Sequence, residues 1–61
     1  MFGVYVKTDS EKMHLIKKDL SPAESYEEGM AYTEEEASEI AKRWIKEHRE
    51  DGGAAFIAQD G

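Results

Sequence analysis

The stretch TEEEASEIAKRWIKEHREDG, Thr33 to Gly52, has one regular way to fold, and it constrains everything around it. Thr33 followed by Glu36 is a capping box: the hydroxyl accepts from the N–H three residues on, and the glutamate reaches back. Tyr32 and Ala37 stand at the hydrophobic-staple positions on either side. Ala37, Ile40, Ala41, Trp44, Ile45 and His48 then follow the i, i+3, i+4, i+7, i+8, i+11 spacing of one buried stripe. Lys42, Arg43, Lys46, Glu47, Arg49 and Glu50 fall outside it. Glu39–Arg43 and Lys46–Glu50 are spaced as i,i+4 ion pairs. Gly52 suits the left-handed position just past the helix end.

A single amphipathic helix must bury its stripe against something, and the rest of the chain reads as strand. FGVYVKTD places Phe2, Val4 and Val6 on one side and Tyr5 and Lys7 on the other. Asp9 and Ser10 carry turn chemistry in TDSEK. MHLIKKDL then reads as a second strand, so residues 2–20 form a hairpin, although the apolar pair Leu15–Ile16 breaks strict alternation. Ser21 to Ser25 is a loop, because Pro22 fits a central strand poorly. YEEGMAY, residues 26–32, is either a third strand or an irregular edge, since Gly29 weakens it. AAFIAQ returns as the final strand, and Asp60–Gly61 is a short tail.

The expected class is therefore α+β: a small, largely antiparallel sheet, ββ(β)αβ, with one amphipathic helix packed on one face. The whole chain, residues 1–61, is one domain. One helix covers one face only. Tyr5, Ile16 and Phe56 have apolar sequence neighbours that must point the other way, so they are candidates for a second apolar face that a copy of the chain could cover. With no cysteine, neither a disulfide nor a thiolate zinc site is available to staple so small a core. That also fits a reducing cytoplasm. No apolar run is long enough to span a membrane, and no signal-peptide layout is visible at the start.

Charge is segregated along the chain. Asp19 to Ala41 carries eight carboxylates and no lysine or arginine, within a formal net charge of -6. That balance argues against nucleic acid or an anionic membrane as a direct ligand. Glu34, Glu35 and Glu36 are accounted for by the helix dipole, which favours carboxylates in a first turn. Asp19, Glu24, Glu27 and Glu28 are not, and their mutual repulsion costs a marginal domain stability. Glu24, Glu27, Glu28, Glu34, Glu35 and Glu39 are thus candidate contacts for a basic surface on a partner protein. Glu36 is left out because the capping box employs it.

Catalytic motifs are missing from the chain as read. Gly52–Gly53 follows a helix instead of opening one, so it does not build a phosphate loop. The serines lie in turn, loop or helix contexts without a nucleophile elbow. His14 and His48 could form a metal or acid–base site only if the fold joined them; a capping or core role for His48, in the last helical turn, is the plainer reading. Trp44, mid-stripe, reads as a core anchor rather than a partner hot spot. The helix bases are interleaved with Glu39, Glu47 and Glu50, which reads as a solvated, ion-paired face. No catalytic residue, metal ligand or cofactor is assigned.

The strand, TEEEASEIAKRWIKE and GGAAFIA pattern of residues 26–59 resembles that of very small bacterial and phage proteins in which one helix packs on a three- or four-stranded sheet. One such group is a phage-encoded inhibitor of bacterial RNA polymerase; small acidic anti-CRISPR and nucleic-acid-mimic proteins are similar in size and charge. The resemblance implies a non-enzymatic inhibitor that docks through a charged surface. The alternative is a structural or homodimerisation module using the helix-free sheet face, with Tyr5, Ile16 and Phe56 as its surface.

Overall fold

Period-two alternation in FGVYVK puts Val4 and Val6 on one side of an extended strand and Tyr5 on the other. A computed structural model describing residues 1–61 places this strand, β1 (Phe2–Lys7), at the centre of a three-stranded antiparallel sheet. On one side lies β2 (His14–Ile16), paired Val4 to Ile16 and Val6 to His14; on the other lies β3 (Ala54–Gln59), paired Val4 to Ile57 and Tyr5 to Phe56. The helix α2 (Glu34–Glu47) crosses the face that carries Val4, Val6 and Ile16. A shorter helix, α1 (Tyr26–Gly29), precedes it, and one 3-10 turn, Arg49–Asp51, follows it. The expected α+β architecture is therefore present.

Both signals at the ends of α2 operate. Thr33 Oγ1 accepts from the Glu36 N–H at 3.2 Å, and Glu36 Oε1 accepts from the Thr33 N–H at 2.9 Å. At the far end the His48 ring stacks on Trp44 with centroids 4.1 Å apart, and His48 Nδ1 donates to the Trp44 carbonyl at 2.9 Å. Gly52 then adopts φ +70°, where a side chain would be strained.

The core consists of Ala37, Ile40, Ala41 and Trp44 from α2 against Val4, Val6 and Ile16. Phe2, Leu20, Tyr32 and Ala55 pack partly buried around it. Ile45, expected in the buried stripe, is 39% exposed: helical spacing puts it at the stripe's margin, on the same side of α2 as Glu34 and Ser38.

Four expectations are corrected. Ile16 does not belong to a second apolar face; it is fully buried under α2, and Leu15 takes its place on the opposite face beside Tyr5. The second strand stops at Ile16 instead of running to Leu20. There the Lys17 N–H donates to the Ser21 carbonyl and the Leu20 N–H to that of Lys17, which turns the chain back. Leu20 sits at φ +72°, an unusual conformation for leucine, while its side chain packs on the core. Residues 26–32 are not a strand: Ser25 Oγ accepts from the Glu28 N–H and starts α1, and only Tyr32 keeps a strand-like pairing, with Phe2. Nor do Glu39–Arg43 and Lys46–Glu50 form ion pairs. Arg43 donates instead to the Lys18 carbonyl at 3.1 Å, and exposed pairs gain too little to prevent this.

The helix-free face is consequently only partly free. An added Cβ on Gly3 would collide with the Gly29 carbonyl, and one on Gly29 would meet Leu15 at 2.9 Å. Two glycines thus let α1 lie against that face of β1 and β2. Met30 is buried there beside Gly3, apart from the main core.

Burial separates two isoleucines that helical spacing treats alike. Ile40→Ala should cost about 2–5 kcal/mol, comparable with the ~3–5 kcal/mol a core of this size supplies, and leave the chain largely unfolded at 25 °C. Ile45→Ala should cost less than about 1 kcal/mol and leave a cooperative melt. Urea unfolding followed by circular dichroism reads both; equal effects would contradict the observed packing.

Candidate interaction surface

The acidic run is distributed over three elements. Glu24 is in the loop before α1, Glu27 and Glu28 are in α1, and Glu34, Glu35 and Glu39 are on α2. All except Glu28 are exposed. Each lies where a helix N-terminus favours carboxylate or next to such a turn. The six candidates do not form one patch on one element.

Folding also brings bases into the run that the linear sequence keeps out of it. Lys17 Nζ lies 3.4 Å from Glu28 Oε1, the one ion pair in the molecule. That hydrogen-bonded contact, with the nearby carboxylates of Asp19 and Glu24, holds the Lys17 ammonium above its ordinary pKa. Glu28 is therefore already engaged, which leaves Glu24, Glu27, Glu34, Glu35 and Glu39 without a cationic partner. Lys18 and Arg43 flank Glu35, Glu36 and Glu39 along the β2 side of α2.

Two other carboxylates serve local structure. Asp19 Oδ1 accepts from Ser21 Oγ at 2.6 Å and from the Ser21 N–H at 3.1 Å, and these bonds lower its pKa. The Thr33 N–H bond, followed by the Thr33 hydroxyl, similarly lowers that of Glu36.

On the β3 side of α2, an open groove of about 650 Å³ is lined by Phe2, Ile57, Glu34, Glu35, Ser38 and Gln59. It has an apolar floor and two carboxylates on its rim. On the opposite sheet face, Tyr5 pairs in register with Phe56, which is 47% exposed. Tyr26 from α1 sits nearby, its phenol pKa raised by partial desolvation and by the Asp60 carboxylate. Of the expected face Tyr5, Ile16, Phe56, the fold thus joins Tyr5 and Phe56 and removes Ile16. Tyr26 and Ile57 were not singled out from the sequence.

His14 and His48 are each occupied locally: His14 Nδ1 is 2.9 Å from the Lys12 carbonyl, and His48 Nδ1 is on Trp44. No group of three or more His, Asp or Glu side chains is placed to hold a metal ion. No helix is long and apolar enough to cross a membrane. No family model, curated protein or solved structure matches the chain.

The capping bond gives a pH signature. Because the folded pKa of Glu36 lies below its unfolded value, its contribution is complete above that unfolded value and is lost as pH falls through the folded pKa. Glu36→Gln should therefore lower stability at pH 7 and narrow the gap to wild type as pH falls through the carboxylate range. Thermal melts from pH 7 downward measure it. A gap that stays constant with pH would show that the Glu36 charge contributes nothing.

Proposed function

We propose that this chain is a non-enzymatic protein-binding protein of the cytoplasm, an inhibitor-type module whose carboxylates dock on the basic surface of a partner. The partner's surface is one that otherwise holds nucleic acid, with the carboxylates standing in for phosphates. The observation that carries this reading is the set Glu24, Glu27, Glu34, Glu35 and Glu39: exposed, and without a cationic partner within the fold. Carboxylates held outside any ion pair in a domain with so little core cost stability, and a basic partner would offset that cost while steering association.

A second reading, a homodimerisation module acting through the sheet face away from α2, draws on the exposed Phe56 beside Tyr5. With α1 over the Leu15 end of that face, its surface is reduced to Tyr5, Tyr26 and Phe56.

Salt separates the two. Pull-downs from a bacterial lysate at low and high ionic strength would compare wild type with a chain carrying Gln at Glu24, Glu27, Glu28, Glu34, Glu35 and Glu39. The acidic reading predicts a nucleic-acid-handling protein captured by wild type alone, lost toward ~1 M salt where screening acts within ~3 Å, and displaced by single-stranded DNA. Equal capture by both chains, or capture indifferent to salt, would exclude it.

A further inference from the structure

β1 is paired on both sides, whereas β3 is paired on one. The outer edge of β2 is itself covered: Ile16 bridges Pro22, and the Ala23 N–H donates to the Leu15 carbonyl. The outer edge of β3 has no neighbour, and its six residues, AAFIAQ, include no charge, proline or bulge of the kind that protects exposed edges. The direction of its backbone groups follows from the ladder. Asp60 N–H donates to the Met1 carbonyl, and Phe2 exchanges both bonds with Tyr32 on the other side. In an antiparallel ladder these roles alternate, so Phe56 and Ala58 bond to β1 while Ala55, Ile57 and Gln59 aim N–H and C=O outward.

Apolar surface collects around this edge. Of the six large hydrophobic side chains that remain exposed, Phe56 and Ile57 are on β3, and Ile45 is on the side of α2 whose Glu34 and Ser38 line the groove with Ile57. Helical spacing puts Glu34, Ser38, Lys42 and Ile45 in one row along that side of α2. The row is polarised. Its Glu34 end, with Glu35, lies by Ile57 and Gln59, while Trp44 and His48 at the other end of α2 lie by Gly53.

We propose that the β3 edge is a self-association site that takes β3 of a second copy, antiparallel about a two-fold axis through Ile57, giving a continuous six-stranded sheet. This register pairs Ile57 with its own copy and Ala55 with Gln59 in both directions, so every outward backbone group of the strand is satisfied. Phe56 falls opposite Ala58, large against small, in both halves. The same axis runs the two α2 helices antiparallel on one face with their Glu34 ends nearest it, and Asp60 of each copy falls one strand beyond Lys7, across Ala54. Two chains of charge -6 repel as wholes, and this edge joins them through uncharged strands. A charged strand from another protein would satisfy the backbone too, but the uncharged AAFIAQ edge, with Phe56 set against Ala58, matches a second copy of itself.

The proposal does not rest on the acidic docking reading, and its test leaves those carboxylates intact. Sedimentation equilibrium of the 6.9 kDa chain should show reversible doubling of mass, with a dissociation constant of ~100 µM, as suits an interface below ~1,200 Å². Ile57→Lys should weaken association by at least ~10-fold, by placing like charges across the axis. Ile57→Pro removes an outward N–H without touching the β1 ladder and should act alike, with the far-ultraviolet spectrum confirming the fold. Should the proline variant not fold, the lysine variant decides. In the wild type, protection of the Ala55 and Ile57 amides should rise with concentration. A chain that remains monomeric to ~1 mM overturns the proposal and leaves the edge to a strand of another protein. A dimer that both variants leave intact overturns it in favour of the Tyr5–Phe56 face.

Discussion

The packing of one helical stripe on three strand residues carries the molecule. Ala37, Ile40, Ala41 and Trp44 meet Val4, Val6 and Ile16, and little else is buried on that face. So small a core leaves no margin, and each end of α2 is accordingly fixed by specific bonds. The capping box sets where the helix starts, and with it the phase of the stripe. His48 and Gly52 set where it stops, so that β3 returns antiparallel to β1 with Gly53 against the Trp44 ring. A one-residue shift at either end would rotate Ile40 out of the core or turn Ala55 and Ile57 of β3 to the opposite face.

The same economy explains where the polar surface lies. Helix starts gather the carboxylates of Glu27, Glu34 and Glu35, and no basic residue within the run offsets them. The turn after β2 supplies Lys17 and Lys18 from outside the run, compensating Glu28 and flanking Glu36. What remains is a surface whose charges are unbalanced locally and a sheet whose last strand is unpaired. These are separate features on separate elements, one electrostatic and one built of backbone and apolar groups. They can serve two contacts without competing for the same side chains, apart from Glu34 and Glu35.

Much of this was legible in the sequence where local chemistry is strong. The α2 cap, its stripe and its glycine stop were readable because each rests on residues at fixed short spacing. The hairpin of β1 and β2 followed from two extended runs around the Asp9–Ser10 turn, and β3 was readable as a strand but not its pairing with β1. The misreadings share a cause. Ser25 to Glu28 repeats the Ser/Thr-x-x-Glu pattern of Thr33 to Glu36, but the helix it starts, α1, is four residues long, too short to show a helical stripe. Ile16 was assigned to the wrong face because Leu15–Ile16 gives no phase; only its pairing with Val4 decides. Of the candidate site, the exposure of five glutamates could be anticipated, but the Lys17–Glu28 pair could not, since it joins residues from two elements. The free β3 edge depends on strand order, which alternation alone does not determine.

β1 is held at both edges, while β3 is held at one. Native-state amide hydrogen exchange of the dilute chain tests that most directly. This pairing predicts that Val4, Tyr5 and Val6 are among the slowest amides, and that β3 alternates, with Phe56 and Ala58 slow and Ala55 and Ile57 fast. Uniform protection along β3 in the monomer, or Val4 and Val6 exchanging as fast as Ile57, would contradict it.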